Sequence, residues 1–256
     1  MAAGAAAQVT AATLEALGWT AAEAAQEAAT AAVVRVFAVH RSDVEVRGLQ
    51  GSRRIDRATA GGLDGVAVGD WLELTGNGDV ARILDRRNAI TRKAAGEHVH
   101  RQVLSANVDR LLIVTSCNQE FSQRRLERYL VLACDCDVTP EIVLTKADLA
   151  DDVAPYVEQA AGLLAGVPVH AIDARNADQV GALVASLRLG ETLALIGSSG
   201  VGKSTLGNAL GAPNLETGAI RKLDDKGRHT TTSRQLHLLD NGCVVLDTPG
   251  MRELQL

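Results

Sequence analysis

Thr192-Leu193-Ala194-Leu195-Ile196-Gly197-Ser198-Ser199-Gly200-Val201-Gly202-Lys203-Ser204-Thr205 is the stretch whose reading decides the fold. Five apolar or β-favouring residues, Thr192 to Ile196, make a short buried-strand pattern. A glycine-rich turn follows, and Leu206 to Leu210 continues as a helix. Gly197, Gly202, Lys203 and Ser204 fit G-x-x-x-x-G-K-[ST] in the strand–turn–helix context that gives the pattern its meaning. Glycines let successive backbone N–H groups turn inward as an anion nest at a helix N-terminus. Ser198, Ser199, Gly200, Val201 and Thr205 complete that loop. Lys203 is expected to reach the outer phosphates of a nucleotide, and Ser204 to ligate Mg²⁺.

A βα rhythm precedes this loop. Strands are expected at Leu111–Thr115, Glu141–Leu144 and Val167–Ile172, and helices at Ser122–Ala133, Val153–Leu164 and Ala177–Leu187. Two further strands, Gln235–Leu239 and Cys243–Leu246, follow it. Such alternation predicts a mostly parallel sheet with helices on both faces. The Glu141–Leu144 strand runs into Thr145-Lys146-Ala147-Asp148, the [NT]-K-x-D pattern of guanine recognition. A carboxylate at Asp148 can accept from guanine N1–H and the exocyclic amine, a donor pair adenine lacks. The Lys146 stem can lie across the base. Asp247-Thr248-Pro249-Gly250 fits D-x-x-G, with Asp247 directed at Mg²⁺ and the Gly250 N–H at the γ-phosphate. Gly227-Arg228-His229-Thr230-Thr231-Thr232 lies between the two phosphate motifs and is expected to be a switch, with Thr231 as a Mg²⁺ ligand. Met251 follows Gly250 where many GTPases place the water-orienting Gln, so His229 becomes the catalytic candidate, with simple loop hydrogen bonding as the alternative. The base motif precedes the phosphate loop, the reverse of the ordinary order. Circular permutation accommodates this, because domain termini usually lie close together. Asp173-Ala174 is then the second base-side loop.

Upstream the character differs. Residues 1–30 are Ala-rich, with Leu14, Leu17 and Trp19 as anchors. Residues 31–96 carry short β-type runs: Val33–Val36, Val44–Val46, Val66–Val68, Trp71–Leu74 and Ala81–Leu84. Gly51-Ser52, Gly61-Gly62 and Gly76-Asn77-Gly78 separate them. That spacing suggests an OB-type barrel, a frequent nucleic-acid binder. Residues 30–105 hold 12 Lys+Arg against 9 Asp+Glu, in a chain of net charge −5, with clusters at Arg53-Arg54, Arg57, Arg86-Arg87 and Arg92-Lys93. A solvated barrel face explains the charge equally well. Residues 95–105 read as a polar linker, despite His98 and His100. With 2% aromatics the core must rest on Leu, Val, Ile and Ala, and no apolar run approaches a membrane span. The four cysteines, Cys117, Cys134, Cys136 and Cys243, show no metal spacing and read as reduced thiols.

Together these residues resemble the circularly permuted ribosome small subunit-dependent GTPase family. The resemblance runs from about residue 14 to 256 through Leu17-Gly18-Trp19, Ser105-Ala106-Asn107-Val108-Asp109, Arg124-Arg125-Leu126-Glu127-Arg128-Tyr129-Leu130 and the motifs above. It implies an α/β fold: a circularly permuted P-loop GTPase domain at 105–256, preceded by a small all-β OB-type barrel at 31–96. It further implies a monomeric bacterial cytoplasmic GTPase using GTP and Mg²⁺. Such a protein acts late in 30S subunit assembly, binds 16S rRNA through the barrel, is stimulated by the subunit, and does not engage membrane. A nucleotide-toggled rRNA-binding module with incidental hydrolysis is the alternative, and an ATP-using P-loop enzyme is a second. Three departures stand out. Thr145 occupies a position that is often Asn, which would loosen the tie between base loop and phosphate loop. Asp173 stands where Ser is common. The family's C-terminal zinc domain has no counterpart in the six residues after Gly250, so no zinc ligand carries over.

Overall fold

The computed structural model describes residues 13–20, 23, 33–93, 101–212 and 234–247; the side chains of 92, 93, 101 and 247 fall outside the description. Statements of absence below refer to these residues.

The strands of the α/β part are β8 (Arg110–Ser116), β9 (Thr139–Thr145), β10 (Val169–Ala171), β11 (Thr192–Ile196), β12 (Gln235–Leu238) and β13 (Val244–Asp247). The helices are α1 (Gln123–Asp135), α2 (Ala154–Ala161), α3 (Ala177–Val184) and α4 (Lys203–Ala209). The sheet runs β10-β9-β8-β11-β13-β12. Its first five strands are parallel, and β12 returns antiparallel to β13. Central strands of a parallel sheet are covered on both faces, which is why β8 and β11 read as unbroken apolar runs rather than alternating ones.

Alternate residues of one strand serve opposite faces. Leu111 and Ile113 of β8 join the core that contains Leu126, Tyr129 and Leu130 of α1 and Ala160 of α2. Leu112 and Val114 join the other, with Val180 and Leu183 of α3 and Leu206 of α4. Burying a Leu of this kind contributes on the order of 2 kcal/mol, so a one-residue slip of β8 would forfeit both cores at once.

The N-terminal strands are β1 (Val33–Val39), β2 (Asp43–Gly48), β3 (Gly51–Asp56), β4 (Trp71–Leu74) and β5 (Val80–Ile83). They pair in the order β3-β2-β1-β4-β5, an OB-type arrangement open between β3 and β5. Val34, Val36, Val44, Val46, Leu63, Leu72 and Val80 fill it. Two expectations fail here. Gly51-Ser52, expected as a turn, opens β3, because Gly48 to Gly51 makes the tight connection with Gly51 at φ 93°. Val66–Val68, expected as a strand, is a loop with a lone bridge from Val68 to Ser105. The Asp70 carboxylate accepts from the Ala67 N–H at 2.7 Å and bends the chain away from any ladder. The linker expectation for 95–105 fails in part. Residues 94–100 lie outside the description, but β7 (Arg101–Ala106) forms an antiparallel hairpin with β6 (Ala89–Lys93).

Two features join barrel and α/β part. Ala38 of β1 pairs with Gln235 of β12, so both belong to one continuous sheet. Arg35 is fully buried, donates to the carbonyls of Leu17 and Asn107, and lies 5.5 Å from the Trp71 ring centre. Burial pushes its guanidinium down to about 10. Leu14, Leu17 and Trp19 dock as anchors in the larger core, with the Trp19 and Trp71 rings edge-on at 4.7 Å.

Candidate functional site

In an open α/β sheet, ligands bind beyond the carboxyl ends of the strands, where the order reverses. Here that point lies between β8 and β11. From β8 the chain winds outward through β9 to β10, while β13 and β12 lie on the other side of β11. One strand alone, β8, separates the end of β9 from the end of β11, with Thr145 opposite Ser116 and Ile196 opposite Ile113. Two motifs about fifty residues apart therefore open on the same edge.

The phosphate loop is fixed by close approaches. A Cβ on Gly197 would collide with the Val114 carbonyl of β8. Gly202 caps α4 in the left-handed region at φ 94°, a conformation that favours glycine. Lys203 Nζ donates to the Gly197 carbonyl at 2.8 Å and the Ser198 carbonyl at 2.5 Å, arching over the loop. Ser204 and Thr205 are half-buried at the start of α4, and Ser199 and Gly200 are exposed.

The base loop is wired to this nest. Thr145 is buried and donates its hydroxyl to the Val201 carbonyl and, at 3.1 Å, to the Thr115 carbonyl. The tie expected to loosen with Thr in place of Asn is made by Thr145 itself. Lys146, left-handed at φ 57°, donates from Nζ to the Gly200 carbonyl at 2.8 Å. Its stem thus spans from one loop to the other. A 3₁₀ turn, Ala147–Leu149, presents Asp148, and the Ala147 N–H reaches the Ile172 carbonyl at 3.3 Å. Asp173-Ala174 follows β10 after one residue, Ile172, and is held by a 2.7 Å bond from the Asp173 N–H to Gln179 Oε1. A cleft of about 530 Å³ opens between α3 and α4, lined by Ala174, Arg175, Val180, Thr205 and Asn208 among others.

The structure thus brings together Thr145 to Asp148, Asp173, Ala174 and Gly197 to Thr205. The backbone of Asp247 ends β13, which is parallel to β11, so it leaves the sheet at the same edge. His229, Thr231 and Gly250 lie outside the described residues.

Two arginines were not anticipated as site residues. Arg125, in the first turn of α1, donates to Ser198 Oγ at 2.8 Å, placing a second cation against the phosphate loop. Arg175 donates to Asp148 Oδ2 at 2.6 Å. Arg125 belongs to the Arg124–Leu130 run, and Arg175 follows Asp173-Ala174 directly; neither contact has a spacing signature. In the barrel, Arg86 and Arg87 are engaged internally. Arg86 pairs with buried Asp70 at 2.7 Å, and Arg87 with Asp109 at 2.6 Å and Glu23 at 3.3 Å. This removes them from the basic face read in the sequence and leaves Arg53, Arg54 and Arg57 exposed.

Strand order, anion nest and base loop define a circularly permuted P-loop GTPase fold. The chain belongs to the RsgA GTPase family, whose model matches residues 83–256. It is 45% identical over 223 residues to the small ribosomal subunit biogenesis GTPase RsgA 2 of Vibrio parahaemolyticus, covering 87% of this chain and 62% of that protein. It is 44% identical over 227 residues to the small ribosomal subunit biogenesis GTPase RsgA of Mesorhizobium japonicum, covering 87% of this chain and 65% of that protein. The chain thus spans just under two thirds of the length of these curated relatives. Among solved structures it is similar to YjeQ from Thermotoga maritima, with TM-score 0.63, 26% identity, and coverage of 88% of this chain and 76% of that one. It also superposes on YloQ, described as a circularly permuted GTPase, with TM-score 0.60, 23% identity, and coverage of 88% of this chain and 73% of that one.

Proposed function

We propose that this protein binds GTP and hydrolyses it to GDP and phosphate, acts in late maturation of the 30S ribosomal subunit, and is stimulated by that subunit. The observation that carries this reading is the wiring of base loop to phosphate nest: Thr145 on Val201 and Lys146 on Gly200. A single guanine nucleotide would lie across that junction, its base on Asp148 and its phosphates in the nest of Gly197 to Thr205. Lys203 would exchange its loop carbonyls for phosphate oxygens. The names of the relatives support the small subunit as partner.

Ser204, in the first turn of α4 after β11, and Asp247, at the end of the neighbouring parallel strand β13, supply the hard oxygen donors that Mg²⁺ prefers. These two, with Thr231, would hold the ion, which would supply positive charge against the phosphate oxygens. The donors of the chain then act by position. The nest N–H groups and Lys203 hold the phosphates, and His229 orients the attacking water when the subunit is bound. Among the described residues no group of three or more His, Cys, Asp and Glu is placed to hold a metal ion, and no step is assigned to zinc.

The exposed strand β3, with Arg53 and Arg54, and Arg57 beyond it, is the part of the barrel that would meet 16S rRNA phosphates. We assign residues 31–96 to that barrel, 105–256 to the GTPase domain, and the protein to the cytoplasm as a monomer. No helix among the described residues is long and apolar enough to cross a membrane. Single-turnover GTP hydrolysis with and without 30S subunits tests the proposal. A marked acceleration by the subunit is expected; equal rates would overturn the stimulated-enzyme reading in favour of a nucleotide-toggled RNA binder.

A further inference from the structure

Asp148 does not stand alone at the base loop. Arg175 Nη2 donates to Asp148 Oδ2 at 2.6 Å, and Arg175 Nε donates to Asp173 Oδ1 at 3.0 Å. The Arg175 N–H adds a 2.9 Å bond to the same Asp173 oxygen. One guanidinium therefore bridges two carboxylates from loops 25 residues apart in sequence. Without it the two anions would face each other across the mouth of the base site. The bridge is anchored on the α3 side, where the Asn176 side chain caps the helix by accepting from the Asp178 and Gln179 N–H groups. On the other side, Asp148 sits on a single 3₁₀ turn after a left-handed residue. The weaker support is thus at Asp148, and the bridge holds it to the stiffer loop. Hydrogen bonds from Arg175 hold the Asp173 carboxyl below its ordinary range, as expected for a standing pair.

We infer that Arg175 is a positioning residue for guanine specificity: by bridging Asp173 and Asp148 it fixes the carboxylate that reads the base. The inference rests on the guanine-nucleotide reading of the site. A carboxylate offers about four acceptor positions, so Oδ2 can hold Arg175 while the remaining lone pairs face ring N1–H and the exocyclic amine. Accepting both donors requires a set orientation; a swinging Asp148 would meet one of them at a time. Asp173 then has a definite place in the site. Unlike a neutral hydroxyl at that position, a carboxylate cannot donate to Asp148, and it needs a cation between the two.

Equilibrium titration of the full chain with GDP, IDP and ADP tests this, since hypoxanthine keeps N1–H but lacks the amine. Arg175→Ala should weaken GDP binding about two- to fivefold, the scale of an exposed pair, with IDP binding nearly unchanged, so the GDP-to-IDP ratio falls. Arg175→Lys should recover part of the ratio. Adding Asp173→Ser to Arg175→Ala should recover more, because the repulsion is removed. The wild-type advantage should shrink at about 1 M salt, where screening is strong. Unchanged or tighter GDP binding in Arg175→Ala, or equal losses for GDP and IDP, would overturn the inference. Wild-type protein that binds ADP as well as GDP would instead overturn the guanine reading beneath it, and the two failures are separable in one data set.

Discussion

Thr145→Val removes a single hydroxyl from the junction of the two loops while keeping the side-chain shape. That hydroxyl is buried and donates to the Val201 carbonyl, the last carbonyl before the glycine that caps α4. A buried hydrogen bond contributes about 1 kcal/mol net, and an orphaned buried acceptor costs about 1–3 kcal/mol. Taking the low end of that range for the acceptor, the sum expected for Thr145→Val is about 2 kcal/mol. In a chain of this size that corresponds to a fall in Tm of about 4–8 °C. If the bond also sets the angle between base loop and nest, GDP should bind about tenfold more weakly, which is about 1.4 kcal/mol. Thr145→Ser keeps the donor and should lose less than half of either quantity. Differential scanning calorimetry and fluorescent GDP titration read the two effects. A Thr145→Val protein with wild-type Tm and wild-type GDP affinity would refute the claim that this hydroxyl joins the two halves.

Further outcomes follow from other contacts. Arg35→Leu strands the Leu17 and Asn107 carbonyls and should cost about 3 kcal/mol by denaturant titration; wild-type stability would show that the N-terminal anchors dock without it. Glu141 is buried beside His170 and Arg110; burial alone would raise its pKa, but its contacts with these two side chains outweigh that and the net direction is down. A depressed carboxylate stabilises the fold above its unfolded pKa and loses that contribution as pH falls through the folded value. Tm should therefore drop on acidification below about pH 4, and Glu141→Gln should flatten that limb; an unchanged acid limb would remove Glu141 from the account. His229→Ala should cut subunit-stimulated turnover at least tenfold with GDP affinity little changed, and unaltered stimulated turnover would exclude it as the water-positioning group.

Much of the α/β part was legible because its signals are local and redundant. β11 was read to the residue from an apolar run ending in a glycine loop, and α1, α3 and the strands around them fell within a few residues of expectation. The barrel was harder. Val66–Val68 has β-branched composition, but the Asp70 carboxylate captures its backbone, and no periodicity records such a capture. β3, with its Ser-Arg-Arg-Ile run, carries no apolar alternation because its side chains are mostly exposed. In the site, the motif residues were readable one by one. Their wiring was not: Arg175 on Asp148, Arg125 on Ser198 and Arg87 on Asp109 join residues 27, 73 and 22 positions apart. Such contacts depend on the fold and leave no mark in local sequence.

The central claim is that Asp148 and the nest at Gly202 serve the same guanine nucleotide. Exchanging the carboxylate for an amide tests it most directly, through the affinities of Asp148→Asn and wild-type protein for GDP and XDP. Xanthine presents a carbonyl where guanine has its amine, so the variant should lose GDP by at least tenfold and gain XDP. A variant that still prefers GDP over XDP would contradict the claim that this side chain reads the base.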